Sequence, residues 1–206
     1  MAAGARPTFH IIAGPNGAGK TTLYRLRIAP RHPGAEFVNA DELALRQFGH
    51  PARTLEESRV GQRLAEHRRR ELLAWRKSLV TESTFSHPSK LDLLREAIAG
   101  GYRVNLYHVS VCSVELSVRR VAARVEKGGH PVPEDHIRQR YERNRALIRA
   151  AAELADHAYV FDNSLYAEPF ALVIELKRGA LVRSSEDIPR WARDLYIAES
   201  RQSLFR

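Results

Sequence analysis

Residues 9–22 read FHIIAGPNGAGKTT, an apolar run that passes directly into a complete G-x-x-x-x-G-K-[ST] phosphate-binding loop at 14–21. Glycines let the backbone curl so tightly that successive N–H groups converge on a β-phosphate. Gly14, Pro15, Asn16, Gly17, Ala18, Gly19, Lys20, Thr21 and Thr22 are therefore the expected nucleotide-binding residues. Lys20 can bridge the β- and γ-phosphates, and the Thr21 hydroxyl can ligate Mg²⁺. The helix-compatible TLYRL at 22–26 brings the positive end of a helix to the anion. Strand, loop and helix in this order predict a site that grips the phosphates of a nucleotide.

Outward from this loop the chain alternates strands with helices. Strands are expected near 8–13, 35–39, 78–82, 103–109, 157–161 and 170–176. Helices are expected at about 20–28, 41–48, 54–77, 89–99, 113–126, 134–155 and 188–200. Gly100-Gly101 closes one helix before Tyr102 opens a strand. Lys177-Arg178-Gly179-Ala180 forms a hairpin turn into Leu181-Val182-Arg183. The pattern predicts an α/β, P-loop kinase-like fold, with a mainly parallel sheet and helices on both faces. With 206 residues and no repeat or linker, a single domain over 1–206 is expected.

Composition narrows the class. The chain is 44% hydrophobic and 28% charged, as in a soluble globular protein. It has no membrane-length apolar stretch, and MAAGARPTFH lacks a signal-peptide core. The single Cys112 suits a reducing, cytoplasmic setting, and its strand-like surroundings suggest a small buried residue rather than a nucleophile. Lysine and arginine number 33 against 24 acidic residues, a net charge of +9 carried mostly by arginine. Either a phosphate-rich ligand or genomic bias accounts for this. The run around Arg68-Arg69-Arg70 reads as a solvated face or partner surface, which is weak support for nucleic-acid binding.

Ligands of such sheets lie beyond the carboxyl ends of the strands. The second strand ends at Asp41, which is either a helix N-cap or, facing the P-loop, the general base for a phosphoryl acceptor. Glu82 ends the third strand, where it can hold Mg²⁺ through water or bind a substrate hydroxyl. Thr84 beside it is a substrate contact or a turn residue. Between 124 and 145, Gly128-Gly129-His130-Pro131 breaks a helix that restarts at Pro133-Glu134. This helical lid carries Arg124, Arg138 and Arg140 as candidates to clamp the transferred phosphate. His130 is a loop or substrate contact rather than a metal ligand, having no second ligand at suitable spacing. Asp162-Asn163-Ser164 reads equally as a nucleotide contact or an Asx-turn.

Taken together, GPNGAGKTT at 14–22, FVNADELA at 37–44, TESTFS at 81–86, RVEKGGHPVPEDHIRQRYERN at 124–144 and FDNS at 161–164 resemble the zeta toxin family of P-loop kinases. The resemblance implies a bacterial toxin kinase using ATP and Mg²⁺. Its acceptor would be the 3′-hydroxyl of the amino sugar in UDP-N-acetylglucosamine or a related UDP-sugar, and a small helical antitoxin would restrain it. It implies Asp41 as base, Lys20 and Thr21 as phosphate and Mg²⁺ residues, and Glu82 and Thr84 on the substrate side. Arg124 and Arg138 or Arg140 would clamp phosphate. The chain departs from the better-known toxins in its compactness, which implies the loss of the insertions that build a large UDP-sugar pocket. Other acceptors (a metabolite, an antibiotic or a polynucleotide end) stay open, as does an ATP-switched nucleic-acid-binding protein.

Overall fold

The computed structural model describes residues 6–129 and 131–197. Strands β1 (Thr8–Ala13), β2 (Glu36–Val38), β3 (Leu79–Ser83), β4 (Arg103–Ser110), β5 (His157–Asp162), β6 (Ala171–Lys177) and β7 (Ala180–Ser184) form one sheet. Their order is β2-β3-β1-β4-β5-β6-β7. The first five are parallel, and β6 and β7 add on antiparallel. The helices are α1 (Lys20–Leu23), α2 (Ala40–Phe48), α3 (Leu55–Ala74), α4 (Ser89–Ala99), α5 (Val114–Glu126), α6 (Glu134–Leu154) and α7 (Arg190–Tyr196). The expected elements fall within a few residues of these. The last helix was expected to reach 200, and positions 198–200 lie outside the described residues. No helix among the described residues is long and apolar enough to cross a membrane.

Side-chain alternation on β1 shows why the sheet is covered twice. Phe9, Ile11 and Ala13 point into a core shared with Ala65 and Leu72 of α3, Leu94 of α4 and Ile148 of α6. Ile12 points the other way, into a core with Leu23 and Ile28. Both faces of the central strand are therefore dry, as continuous apolar runs such as FHIIA require.

One expectation fails locally. The stretch 20–28 is not a regular α-helix: after Leu23 the chain widens into a π-turn over Tyr24–Ile28, then a 3₁₀ turn over Ala29–Arg31. Leu23 and Ile28 are both buried, while Arg25, Leu26 and Arg27 between them are exposed. Residues five apart share a face only on a π-turn, so burial of this pair sets the local geometry. The hairpin behaves as expected, with Arg178 at φ 49° and Gly179 at φ 77°, both left-handed as in a type I′ turn.

The topology places the site. Ala13 at the end of β1 pairs with Ser83 on one side and His108 on the other. The chain leaves β1 toward β2 and β3, then returns to the opposite flank for β4 and β5. The crevice opens at this reversal.

Candidate active site

The P-loop leaves β1 at Gly14, whose N–H donates to Ser83 O at 3.3 Å. Gly14 has φ 153°, and a Cβ there would lie 1.9 Å from Val109 O, so only glycine fits between β1 and β4. Gly19, at φ 96°, begins α1 and accepts from Leu23 N at 2.9 Å. Lys20 Nζ donates to Gly14 O at 3.1 Å and Pro15 O at 2.9 Å, so the ammonium lies across the loop it would share with phosphate. Burial pushes this ammonium below its ordinary pKa, with Glu82 pulling the other way.

Thr21 and Glu82, 61 residues apart, meet at the head of the cleft. Thr21 Oγ1 donates to the two Glu82 carboxylate oxygens at 3.1 and 2.9 Å. A hydroxyl and a carboxylate at this spacing are hard oxygen donors, and Mg²⁺ in phosphate sites takes only one or two protein ligands beside water and phosphate. The pair therefore fits that ion, although no cluster of three or more His, Cys, Asp or Glu suited to a metal occurs among the described residues.

Burial also pushes the Glu82 carboxyl above its ordinary pKa, against the pull of Lys20 and the Thr21 hydroxyl. The folded state then binds this proton more tightly than the unfolded one, so stability falls as pH rises from 4.5 through the raised value. Glu82→Gln is expected to raise the ligand-free thermal midpoint at pH 7 by roughly 2–4 °C, with a smaller gain at pH 5. Calorimetric melting at both pH values checks this, and an equal shift at each would remove the titration argument.

Asp41 lies in the first turn of α2 but does not cap it. Asn39 Oδ1 accepts from Asp41 N at 2.7 Å and Glu42 N at 3.1 Å. The cap is thus made by a side chain that is 4% exposed, and the exposed Asp41 carboxylate lines the cleft together with Lys20, Thr21 and Glu82. Asn39 was missed as a site residue, although an Asn directly before Ala-Asp-Glu is a legible cap signal. Thr84 lines the same cleft, its hydroxyl 3.2 Å from Ser86 Oγ.

The lid arginines separate. Arg124 and Arg140 line the cleft with Pro131, Val132, Pro133 and His136. Gly129 lets the loop fold back on Arg124: its N–H donates to Arg124 O at 3.0 Å, and a Cβ would sit 2.7 Å from Arg124 Cγ. Arg138 is not brought to the cleft. It donates to Glu134 at 2.9 Å and to Glu115 of α5 at 3.1 Å on the outside of the helix pair. The acidic partner four residues earlier was the available signal, since an i,i+4 pair marks an exposed face. His130 lies outside the described residues.

Arg120 of α5 is a further cleft residue that the sequence did not single out. Its guanidinium donates to Asn163 O at 2.7 Å and lies 5.1 Å from the ring centroid of Tyr166, which is 85% exposed. Asn163 in turn donates to Ala18 O at 2.8 Å, bracing the P-loop from beneath. The 162–164 segment has Asx-turn geometry, with Asp162 accepting from Ser164 N and Oγ and also from Trp191 Nε1. These contacts join residues dozens of positions apart, and no local pattern announces them.

Two further expectations need correction. Cys112 is exposed rather than buried, because β4 ends at Ser110 and the chain has left the sheet. Arg69 does not belong to a solvated face: it is 7% exposed and reaches Thr81 and Glu66, while Arg68 forks onto Glu36 at 2.7 and 2.8 Å. The cleft has a volume of about 1080 Å³, at the upper end of ligand sites. The α2–α3 connection and one face of α3 build its far wall.

The family model described as Zeta toxin matches residues 1–168. An uncharacterised protein of Haemophilus influenzae is 37% identical over 60 residues, 29% of this chain and 43% of that protein. A chain of the PezAT chromosomal toxin–antitoxin system of Streptococcus pneumoniae superposes with TM-score 0.64 at 16% identity, covering 96% of this chain and 82% of that one. A chain of the AvrRxo1-ORF1:-ORF2 complex with ATP gives TM-score 0.66 at 19% identity, covering 87% and 61%. A chain of the corresponding complex with sulphate ions gives 0.67 at 18%, covering 97% and 64%. This chain thus spans less than two thirds of the AvrRxo1 chains it matches, and the matched segment is under half of the Haemophilus protein. At these identities the structural matches speak for the fold.

Proposed function

The chain belongs to the zeta toxin family, and from that premise we infer that it is an ATP-dependent kinase whose acceptor is a hydroxyl of a UDP-activated amino sugar such as UDP-N-acetylglucosamine. The observation that carries this reading is the meeting of Thr21 with Glu82 at 2.9 Å in a cleft that Lys20 and Asp41 also line. Donor-side and acceptor-side groups line one cleft, as transfer between two small molecules requires.

ATP supplies the γ-phosphoryl group, and Thr21 and Glu82 would hold Mg²⁺, whose charge would offset that of the phosphates. Lys20 exchanges its two backbone carbonyls for phosphate oxygens. Asp41 takes the proton of the acceptor hydroxyl as that oxygen bonds to phosphorus and ADP leaves. Arg124 and Arg140 steady the charge spread over the equatorial oxygens, and Thr84 orients the acceptor. In this reading 1–206 is one kinase domain with 124–145 as its lid. Likeness to a chain of a toxin–antitoxin system supports a small antitoxin as partner.

Incubation with ATP, Mg²⁺ and UDP-N-acetylglucosamine should give ADP and a product heavier by one phosphoryl group. ADP formation no faster than without the sugar would overturn this acceptor, and steeply salt-dependent nucleic-acid binding in its place would favour a binding protein. Arginine substitutions sharpen the site. Arg140→Ala is expected to lower kcat by about 10²–10³-fold. Arg138→Ala should leave kcat near wild type, since exposed ion pairs contribute only about 0–1 kcal/mol to stability. Steady-state kinetics on the two variants decide whether the lid register is correct.

A further inference from the structure

The cleft holds more positive charge than a donor nucleotide requires. Eight lysine and arginine side chains line it against the two carboxylates of Asp41 and Glu82. Lys20, Arg120, Arg124 and Arg140 come from the P-loop, α5 and α6. The other four (Arg53, Arg59, Arg69 and Lys90) come from the segment before α3, from α3 and from α4. Residues 55, 58, 59, 62, 65 and 69 form this wall along α3, and their three-and-four spacing is that of one helical face.

Arg69 and Lys90 stand out within this wall. Arg69 is 7% exposed; it donates to Glu66 at 2.8 Å and Thr81 at 3.4 Å, and its buried Nε has no hydrogen-bond partner. The other oxygen of Glu66 accepts from Arg70 at 3.2 Å. Lys90 lines the same wall, and burial and Arg69 push its ammonium below the ordinary range, with Glu66 pulling the other way. Arg69 is thus a buried guanidinium in a cavity wall that Lys90 also lines, and it shares its one carboxylate partner with Arg70, so an anion in the cleft would balance its charge. A guanidinium beside an ammonium is the donor set for phosphate or carboxylate.

We propose that Arg69 and Lys90, with Arg59 on the same helical stripe, form an acceptor-side anion subsite separate from the P-loop. The phosphoryl acceptor then carries a phosphate or carboxylate group, and neutral or polycationic hydroxyl compounds are poor acceptors. The role of the anion in catalysis rests on the kinase reading; its binding does not.

The test is calorimetric titration of the full-length protein presaturated with a non-hydrolysable ATP analogue and excess Mg²⁺, using inorganic pyrophosphate, malonate and N-acetylglucosamine as probes. Binding of pyrophosphate or malonate is expected, weakened about tenfold or more in Lys90→Met and restored in Lys90→Arg. Pyrophosphate alone identifies a phosphate-bearing acceptor, and malonate alone a carboxylate. With no anion present, Lys90→Met should melt at or above the wild-type temperature, because it removes like-charge repulsion; a structural lysine would lower it. Absence of anion binding with the P-loop filled, or binding that Lys90→Met does not weaken, overturns the subsite and leaves the kinase reading intact. Lys90-dependent anion binding without transfer to UDP-N-acetylglucosamine supports the subsite and removes that sugar.

Discussion

Asp41→Asn is expected to lower kcat for phosphoryl transfer by about 10²–10⁴-fold, the range for losing a positioned general base, with ATP affinity unchanged. The substitution keeps the shape of the side chain and removes only its capacity to accept a proton. The structure makes this a clean test, because Asn39 performs the capping of α2 through bonds of 2.7 and 3.1 Å to the backbone of Asp41 and Glu42. The helix does not depend on the Asp41 carboxylate, so lost activity cannot be attributed to an unravelled first turn. Single-turnover transfer, nucleotide titration and thermal melting on the same preparation decide the matter. An Asp41→Asn protein with wild-type turnover would remove Asp41 as base and leave Glu82 as the carboxylate at the reacting centre.

Gly14→Ala should act on fold and function together. The new Cβ would be 1.9 Å from Val109 O, a backbone atom of the neighbouring strand that cannot swing aside, and φ 153° is itself strained for an L side chain. Strain and overpacking together cost on the order of 3 kcal/mol or more, roughly 6–12 °C in thermal midpoint for a domain of this size. Forcing β1 from β4 also splays the N–H cradle, so nucleotide binding should disappear. Gly34→Ala is the control, since a Cβ there meets nothing within 4 Å. Equal melting temperatures for the two variants would refute the close-packing argument.

Arg138 and Arg140 show where reading along the chain runs short. Both are arginines on one predicted helix beside one predicted hinge, and composition treats them alike. Helical periodicity separates them: Ile137, Tyr141, Asn144 and Ile148 form the buried stripe of α6, Arg140 flanks it on the cleft side, and Arg138 pairs outward with Glu134 and Glu115. Glu134 four residues before Arg138 was legible in advance; Glu115 was not, because it reaches Arg138 only after α5 and α6 dock. The π-turn after Leu23 was hidden for a similar reason. Local propensity favours a continuous helix there, and the need to bury both Leu23 and Ile28 overrides it.

From the sequence alone come the phosphate loop, the alternation of strands and helices, the hairpin between β6 and β7, and the place of Glu82 at the end of a strand. Each rests on backbone sterics or on side-chain period over a few residues, and such signals survive in one dimension. Tertiary structure decided which groups meet. It set Thr21 against Glu82, hung Arg120 and Asn163 beneath the loop, and buried Arg69 in the cleft wall that Lys90 also lines. Those contacts span 12 to 145 positions or arise where a helix docks, and they exist because burial forces polar groups to find partners wherever the packed sheet brings them.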